Sequence, residues 1–150
     1  LQYFYLYDQL SSSFIHPSKT IIIMEMNTNA INWFEIPVTD FKRAKQFYSA
    51  IYAYEMPEME MGPFTMGILP YDQNAGGVGG AICFGEGCEP SSKGTKVYLN
   101  GGSDLNHVLN RVEAAGGSVV MPKTDIGSDM GYFAIFMDTE GNQISLHSMQ

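Results

Sequence analysis

Few side chains in this sequence combine reactive chemistry with an informative position, and the first is Glu35. It stands in "NWFEIPV", two residues after Trp33, the only tryptophan of the chain. Strand alternation puts Ile31, Trp33 and Glu35 on one face and Asn32, Phe34 and Ile36 on the other. A carboxylate among apolar neighbours is either tied to local hydrogen-bond donors or kept to meet a ligand or take a proton. His147, in "QISLH", shares its strand face with Ser145, and an imidazole can give or take a proton near neutral pH. It also lies three residues from the C-terminus, where a solvated histidine needs no special role. Cys83 and Cys88 are five residues apart, form no CxxC motif and have no second pair to complete a zinc site. His107 reads as a helix-surface residue and His16 as part of the N-terminal tail, so the histidines are scattered.

The elements that would position these residues form a repeat. After "INWFEIPV", Thr39 is expected to cap a helix, with Asp40 in its first turn. Phe41, Ala44, Phe47, Tyr48 and Ile51 then recur at helical spacing and define a buried stripe. Strands are expected at Tyr54 to Glu60, Phe64 to Leu69 and Gly79 to Phe84, the last two separated by the turn-rich "PYDQNAGGVGG". The order then recurs. "TKVYLN" is a strand, Ser103-Asp104 a cap, and "LNHVLNRVEAAGG" a helix stopped by glycine. "GSVVM", "YFAIFMD" and "QISLH" are strands, with "DTEGN" as the turn between the last two. An offset of 64 residues superposes Asp40 on Asp104, Ala44 on Val108 and Tyr48 on Val112. The expected fold is therefore α+β, with two βαβββ modules, about 29–86 and about 94–150, joined by "GEGCEPSSKG".

Composition narrows the function classes. The 150 residues are 45% hydrophobic and 16% charged, which suits one globular domain. Eight basic residues against a net charge of −8 offer no basic run for nucleic acid or anionic lipid. No apolar segment reaches the ~18 residues of a membrane span. Residues 1–28 are read as an extension outside the domain, the part before Met24 and Met26 lying upstream of a natural start. With free thiols as the default for Cys83 and Cys88, the sequence is read as that of a cytoplasmic protein. The glycines of "NAGGVGG" lack the Lys-Ser/Thr of a phosphate loop, and "DTEGN" lacks calcium-loop spacing.

"INWFEIPVTDFKRAKQFYSAI", "VYLNGGSDLNHVLNRVEAAGGSVVMPKTDIG" and "GYFAIFMDTEGNQISLHS" resemble the vicinal oxygen chelate superfamily of glyoxalases, bleomycin-resistance proteins and extradiol dioxygenases. The resemblance implies that each module curls into a half-barrel around a small-molecule cleft, and that the protein is a homodimer. In metal-dependent members, His or Glu from four strands holds a divalent ion. The corresponding positions here are Trp33, Cys83, Val97 and Ser145, a set unsuited to such an ion. No metal or other cofactor is therefore expected, and Trp33, Glu35, Cys83, Ser145 and His147 are the expected ligand-binding residues.

Three functions follow as alternatives. The first is metal-free binding of a small hydrophobic or aromatic metabolite or drug, with Trp33 stacking and Glu35 orienting it. The second is a lyase or isomerase related to lactoylglutathione lyase, with Glu35 as base and His147 assisting. The third is a non-catalytic assembly module. The methionines of "YEMPEMEM" and Met66 could wall a pocket, although core or a dimer contact is their simpler role.

Overall fold

The computed structural model describes residues 29–127 and 129–150. The expected extension, 1–28, and its His16 lie outside the described residues. Strand β1 (Trp33–Pro37) leads into helix α1 (Phe41–Tyr52), followed by β2 (Glu58–Met61), β3 (Phe64–Ile68) and β4 (Gly79–Phe84). The second module repeats the order as β5 (Tyr98–Asn100), α2 (Asn106–Val112), β6 (Ser118–Asp125), β7 (Tyr132–Met137) and β8 (Gln143–Ser148). Each module is a four-stranded mixed sheet, ordered β1-β4-β3-β2 and β5-β8-β7-β6. The α+β fold of two βαβββ modules is the one expected. Among the described residues, no helix is long and apolar enough to cross a membrane.

Several boundaries differ from expectation for local reasons. Strand β2 starts at Glu58 rather than Tyr54, because the chain first leaves α1 through a left-handed Ala53 (φ 53°). The Tyr54 hydroxyl then donates to the Ile68 carbonyl, anchoring this segment beside β3. Strand β6 runs on past Met121 to Asp125, at the cost of register shifts around Pro122, which has no N–H to donate. Asp40, not Thr39, is the N-cap of α1, and its side chain accepts from the Arg43 N–H at 3.0 Å. Helix α2 has Leu105 at its N-cap with no side-chain cap bond; Asp104 instead accepts from the Asn106 N–H and from Lys123 Nζ.

One core serves both modules. Ala44, Phe47, Tyr48 and Ile51 of α1 and Val108, Leu109 and Val112 of α2 pack with the inward residues of the strands, including Ile36, Ile82, Leu99, Phe136 and Leu146. The stripe read from helical spacing is buried, apart from the half-buried Phe41. Met56 also lies in this core, so it is not part of a pocket wall.

The turn between β7 and β8 fastens the two modules. Glu140 reaches across to α1 and accepts from the Thr39 N–H (3.0 Å), the Thr39 hydroxyl (3.0 Å), the Asp40 N–H (2.9 Å) and Arg43 Nε (2.7 Å). Beside it, buried Asp138 accepts from the Tyr48 hydroxyl at 2.8 Å, and Asn142 Nδ2 donates to the Pro37 carbonyl at 2.9 Å. The carboxylate of Glu140 thus satisfies N–H groups at the start of α1 that the helix cannot satisfy itself.

Burial opposes ionisation of Glu140, but the bonds from Arg43, Asp40 and Thr39 outweigh it and hold the carboxyl at about 2, against an ordinary 4.5. A folded-state value below the unfolded one stabilises the protein above the unfolded value and stops doing so as pH falls through the folded value. That difference corresponds to roughly 3 kcal/mol, complete above about pH 5 and lost towards pH 2. Urea titrations at pH 7 should show Glu140→Gln to be about 2–3 kcal/mol less stable than the parent chain. The gap should narrow between pH 5 and pH 2; a constant gap would show that the charge of Glu140 is not the source.

Candidate functional site

Each sheet has a face turned from the shared core, and the expected site residues fall on these faces. In the first sheet, β1 runs parallel to β4, with Trp33 opposite Gly79, Glu35 opposite Ala81 and Pro37 opposite Cys83. Met66 and Ile68 of β3 lie opposite Cys83 and Ala81, and Met59 of β2 opposite Met66. Residues paired in register share a face. Trp33, Glu35, Ala81, Cys83, Met59, Met66 and Ile68 therefore look the same way. Met66, Ala81 and Cys83 form a second small apolar cluster, with Phe64, Ile68 and Cys88 against it. Around this floor Trp33, Met59 and Met61 remain 39%, 48% and 52% exposed.

Trp33 and Glu35 act as a unit, since the indole Nε1 donates to Glu35 Oε1 at 3.2 Å. The indole rests on backbone because position 79 is glycine. A Cβ there would come within 2.7 Å of the Trp33 ring and 2.8 Å of the Tyr71 ring. Tyr71 thereby joins the Trp33 surface to a cavity of about 180 Å³ between the modules. Phe34, Tyr52, Leu69, Tyr71 and Tyr98 supply its aromatic and aliphatic lining. Burial raises the Tyr52 hydroxyl well above its ordinary value, and that hydroxyl donates to the Asn100 carbonyl. This aromatic lining was missed in the sequence. Phe34, Tyr52 and Tyr98 sit on separate elements, and nothing in their spacing announces that they meet.

Glu35 lines a second cavity, of about 240 Å³, with Val97, Lys93, Asn142 and Gln143. His147 lines a third, with Tyr98 and Asn100, and its Nε2 is 2.8 Å from the Met130 carbonyl. Trp33, Glu35 and Cys83 are thus gathered on the first sheet, and Ser145 and His147 on the second. Ser145 is buried.

The modules also show which positions truly correspond. The first residue after each opening strand donates to the closing strand: Val38 N–H to the Cys83 carbonyl, and Gly101 N–H to the His147 carbonyl. Cys83 is therefore the counterpart of His147, and Ala81 that of Ser145. Ile36 pairs with Ile82 as Leu99 pairs with Leu146, which makes Tyr98 the counterpart of Glu35. The offset is 63 in the opening strands but 64 in the helices, because one extra residue lies between β5 and Asp104. An offset of 64 applied to Trp33 lands on Val97, which in the structure packs half-buried against the core instead of sharing the face of Ser145.

The donor set at the expected positions does not fit a divalent ion. The Trp33 indole offers a hydrogen rather than a lone pair, Val97 offers nothing, and Ser145 offers a hydroxyl. Burial, helped by Cys88 and Glu35, pushes the Cys83 thiol up to about 12, and a single cysteine among these neighbours completes no ligand set.

Comparison with known proteins agrees with this architecture. Residues 30–146 match the Glyoxalase/Bleomycin resistance protein/Dioxygenase superfamily, and the chain belongs to that family. A glyoxylase-like domain-containing protein from Didymella fabae is 30% identical over 122 residues, covering 75% of this chain and 88% of that one. Among solved structures, a point mutant of glyoxalase I from Zea mays superposes with a TM-score of 0.60 at 18% identity. That match covers 78% of this chain but 46% of the maize protein, so the chain spans about half its length. TnmS3, an antibiotic binding protein from Streptomyces sp. CB03234, gives 0.56 at 18% identity, with 83% and 98% covered. At these identities the structural likeness concerns the fold.

The role of Gly79 can be read directly from the single tryptophan. Gly79→Ala should lift the Trp33 ring from the strand, shifting its emission to the red and raising its quenching by acrylamide. Unchanged emission would contradict the seating of the indole on Gly79.

Proposed function

We propose that this protein binds a small hydrophobic or aromatic molecule, a metabolite or drug, on the Trp33–Glu35 face, without a metal. The observation that carries this reading is the Trp33–Glu35 pair above an apolar floor of Met66, Ala81, Cys83 and Ile68. A flat ring can stack on the indole, while the remaining carboxylate oxygen accepts from an amine or hydroxyl of the ligand. Tyr71 extends the surface towards the aromatic cavity. The antibiotic-binding relative of the same fold supports a binding role.

A lyase using Glu35 as base receives less support. Glu35 and His147 line different cavities, and His147 is engaged with the Met130 carbonyl. The reaction would also require another group to stabilise the enediolate charge. Turnover of a glutathione hemithioacetal, abolished by Glu35→Gln, would establish the lyase instead.

The open faces also favour a homodimer. Trp33, Met59 and Met61 on one sheet and Tyr98 and Met121 on the other are large apolar groups left exposed in a single chain. A second copy placed over them would turn each open face into a closed cleft.

A planar aromatic cation such as proflavine, followed by its own fluorescence polarisation, tests the binding reading. The parent chain should bind it saturably, Trp33→Ala should abolish binding, and Glu35→Gln should weaken it tenfold or more, about 1.4 kcal/mol. Binding that survives Trp33→Ala would refute the proposed surface. Sedimentation should give twice the chain mass; a monomer at all concentrations would remove the dimer.

A further inference from the structure

Cys83 enters the binding face only as apolar floor and Cys88 not at all, yet their sulfurs lie 3.3 Å apart as free thiols. The two differ in access. Cys83 is 1% exposed in the floor of the first sheet, whereas Cys88 is half-buried on the loop that follows β4. A disulfide requires a sulfur separation of about 2.05 Å, so the pair must close by only a little over an ångström. The loop carrying Cys88 can supply that movement. Its Cys88 and Glu89 N–H groups bond only within the turn, to the Gly85 and Gly87 carbonyls. Gly87, at φ +83°, has open space around it.

We propose that Cys83 and Cys88 form a reversible oxidation site, a dithiol that a peroxide converts to an intramolecular disulfide beside the Trp33–Glu35 face. The half-exposed thiol reacts first. The Cys88 sulfur attacks one oxygen of hydrogen peroxide, the O–O bond breaks, and Cys88 becomes a sulfenic acid as one water leaves. The Cys83 sulfur then attacks Cys88 Sγ, the S–O bond breaks, and the departing hydroxide takes the Cys83 proton to leave as a second water. Two thiols and one peroxide thus give one disulfide and two waters. Burial keeps the Cys83 thiol protonated and shielded from peroxide, and its 3.3 Å approach to Cys88 Sγ, rather than its acidity, is what favours the second step. Closing the bridge draws the 85–88 loop onto the sheet beside Glu35, which couples the oxidation state to the shape of the floor.

The test uses the full chain, folded and reduced, treated briefly with one equivalent of hydrogen peroxide. Cysteines are then alkylated after unfolding. The tryptic fragment Gln46–Lys93 contains both cysteines. Before treatment it should take two alkyl groups. After treatment it should take none and weigh two hydrogen atoms less, and dithiothreitol should restore both thiols. In Cys88→Ser, Cys83 should remain alkylatable after the same treatment. Two free thiols after peroxide, a bridge between chains rather than within the fragment, or loss of thiol that dithiothreitol does not reverse would each overturn the proposal. Oxidation of Cys83 at the parental rate in Cys88→Ser would overturn it as well.

Discussion

The grip of the "DTEGN" turn on the junction between β1 and α1 is the interaction on which the rest of this structure depends. Glu140 caps the first helix from the opposite module, and Asp138 and Asn142 hold Tyr48 and Pro37 within the same few residues. Buried polar groups of this kind are costly unless every partner is present. Among the described residues, no buried side-chain nitrogen or oxygen lacks a hydrogen-bond partner. The result fixes the end of β1, and through β1 the positions of Trp33 and Glu35.

That placement divides the labour between the two faces of each sheet. The inner faces and both helices form one core, so the modules stabilise each other. The outer faces are left out of that core, and the first sheet gathers an indole, a carboxylate and two thiols there. Glycine at position 79 and the left-handed Ala53 are the local backbone devices that make room for these arrangements.

Much of this was legible in the sequence because it depends on periodicity. The buried stripe Ala44–Phe47–Tyr48–Ile51 and the alternation of Trp33 and Glu35 against Phe34 and Ile36 follow from helix and strand geometry. The fold followed from the repetition of those patterns. What escaped were relations that depend on a single residue of register. One extra residue before Asp104 shifts the opening strand of the second module, so Tyr98 rather than Val97 faces outward beside Ser145. Likewise, "DTEGN" reads locally as a hairpin turn, and nothing nearby discloses that its glutamate caps a helix about a hundred residues earlier. The closeness of Cys83 and Cys88 was equally invisible, since a spacing of five residues fixes no distance in a glycine-rich loop.

The central claim is that this member of the superfamily binds its ligand with side chains alone, Trp33 standing where metal-dependent members have a ligand to the ion. Elemental analysis of the protein purified without chelator, combined with thermal melts in added nickel, zinc, manganese or ferrous ion, tests it most directly. The account predicts far less than one divalent ion per chain and an unchanged melting temperature. One tightly held ion per chain, whose removal by a chelator lowers the melting temperature, would contradict it.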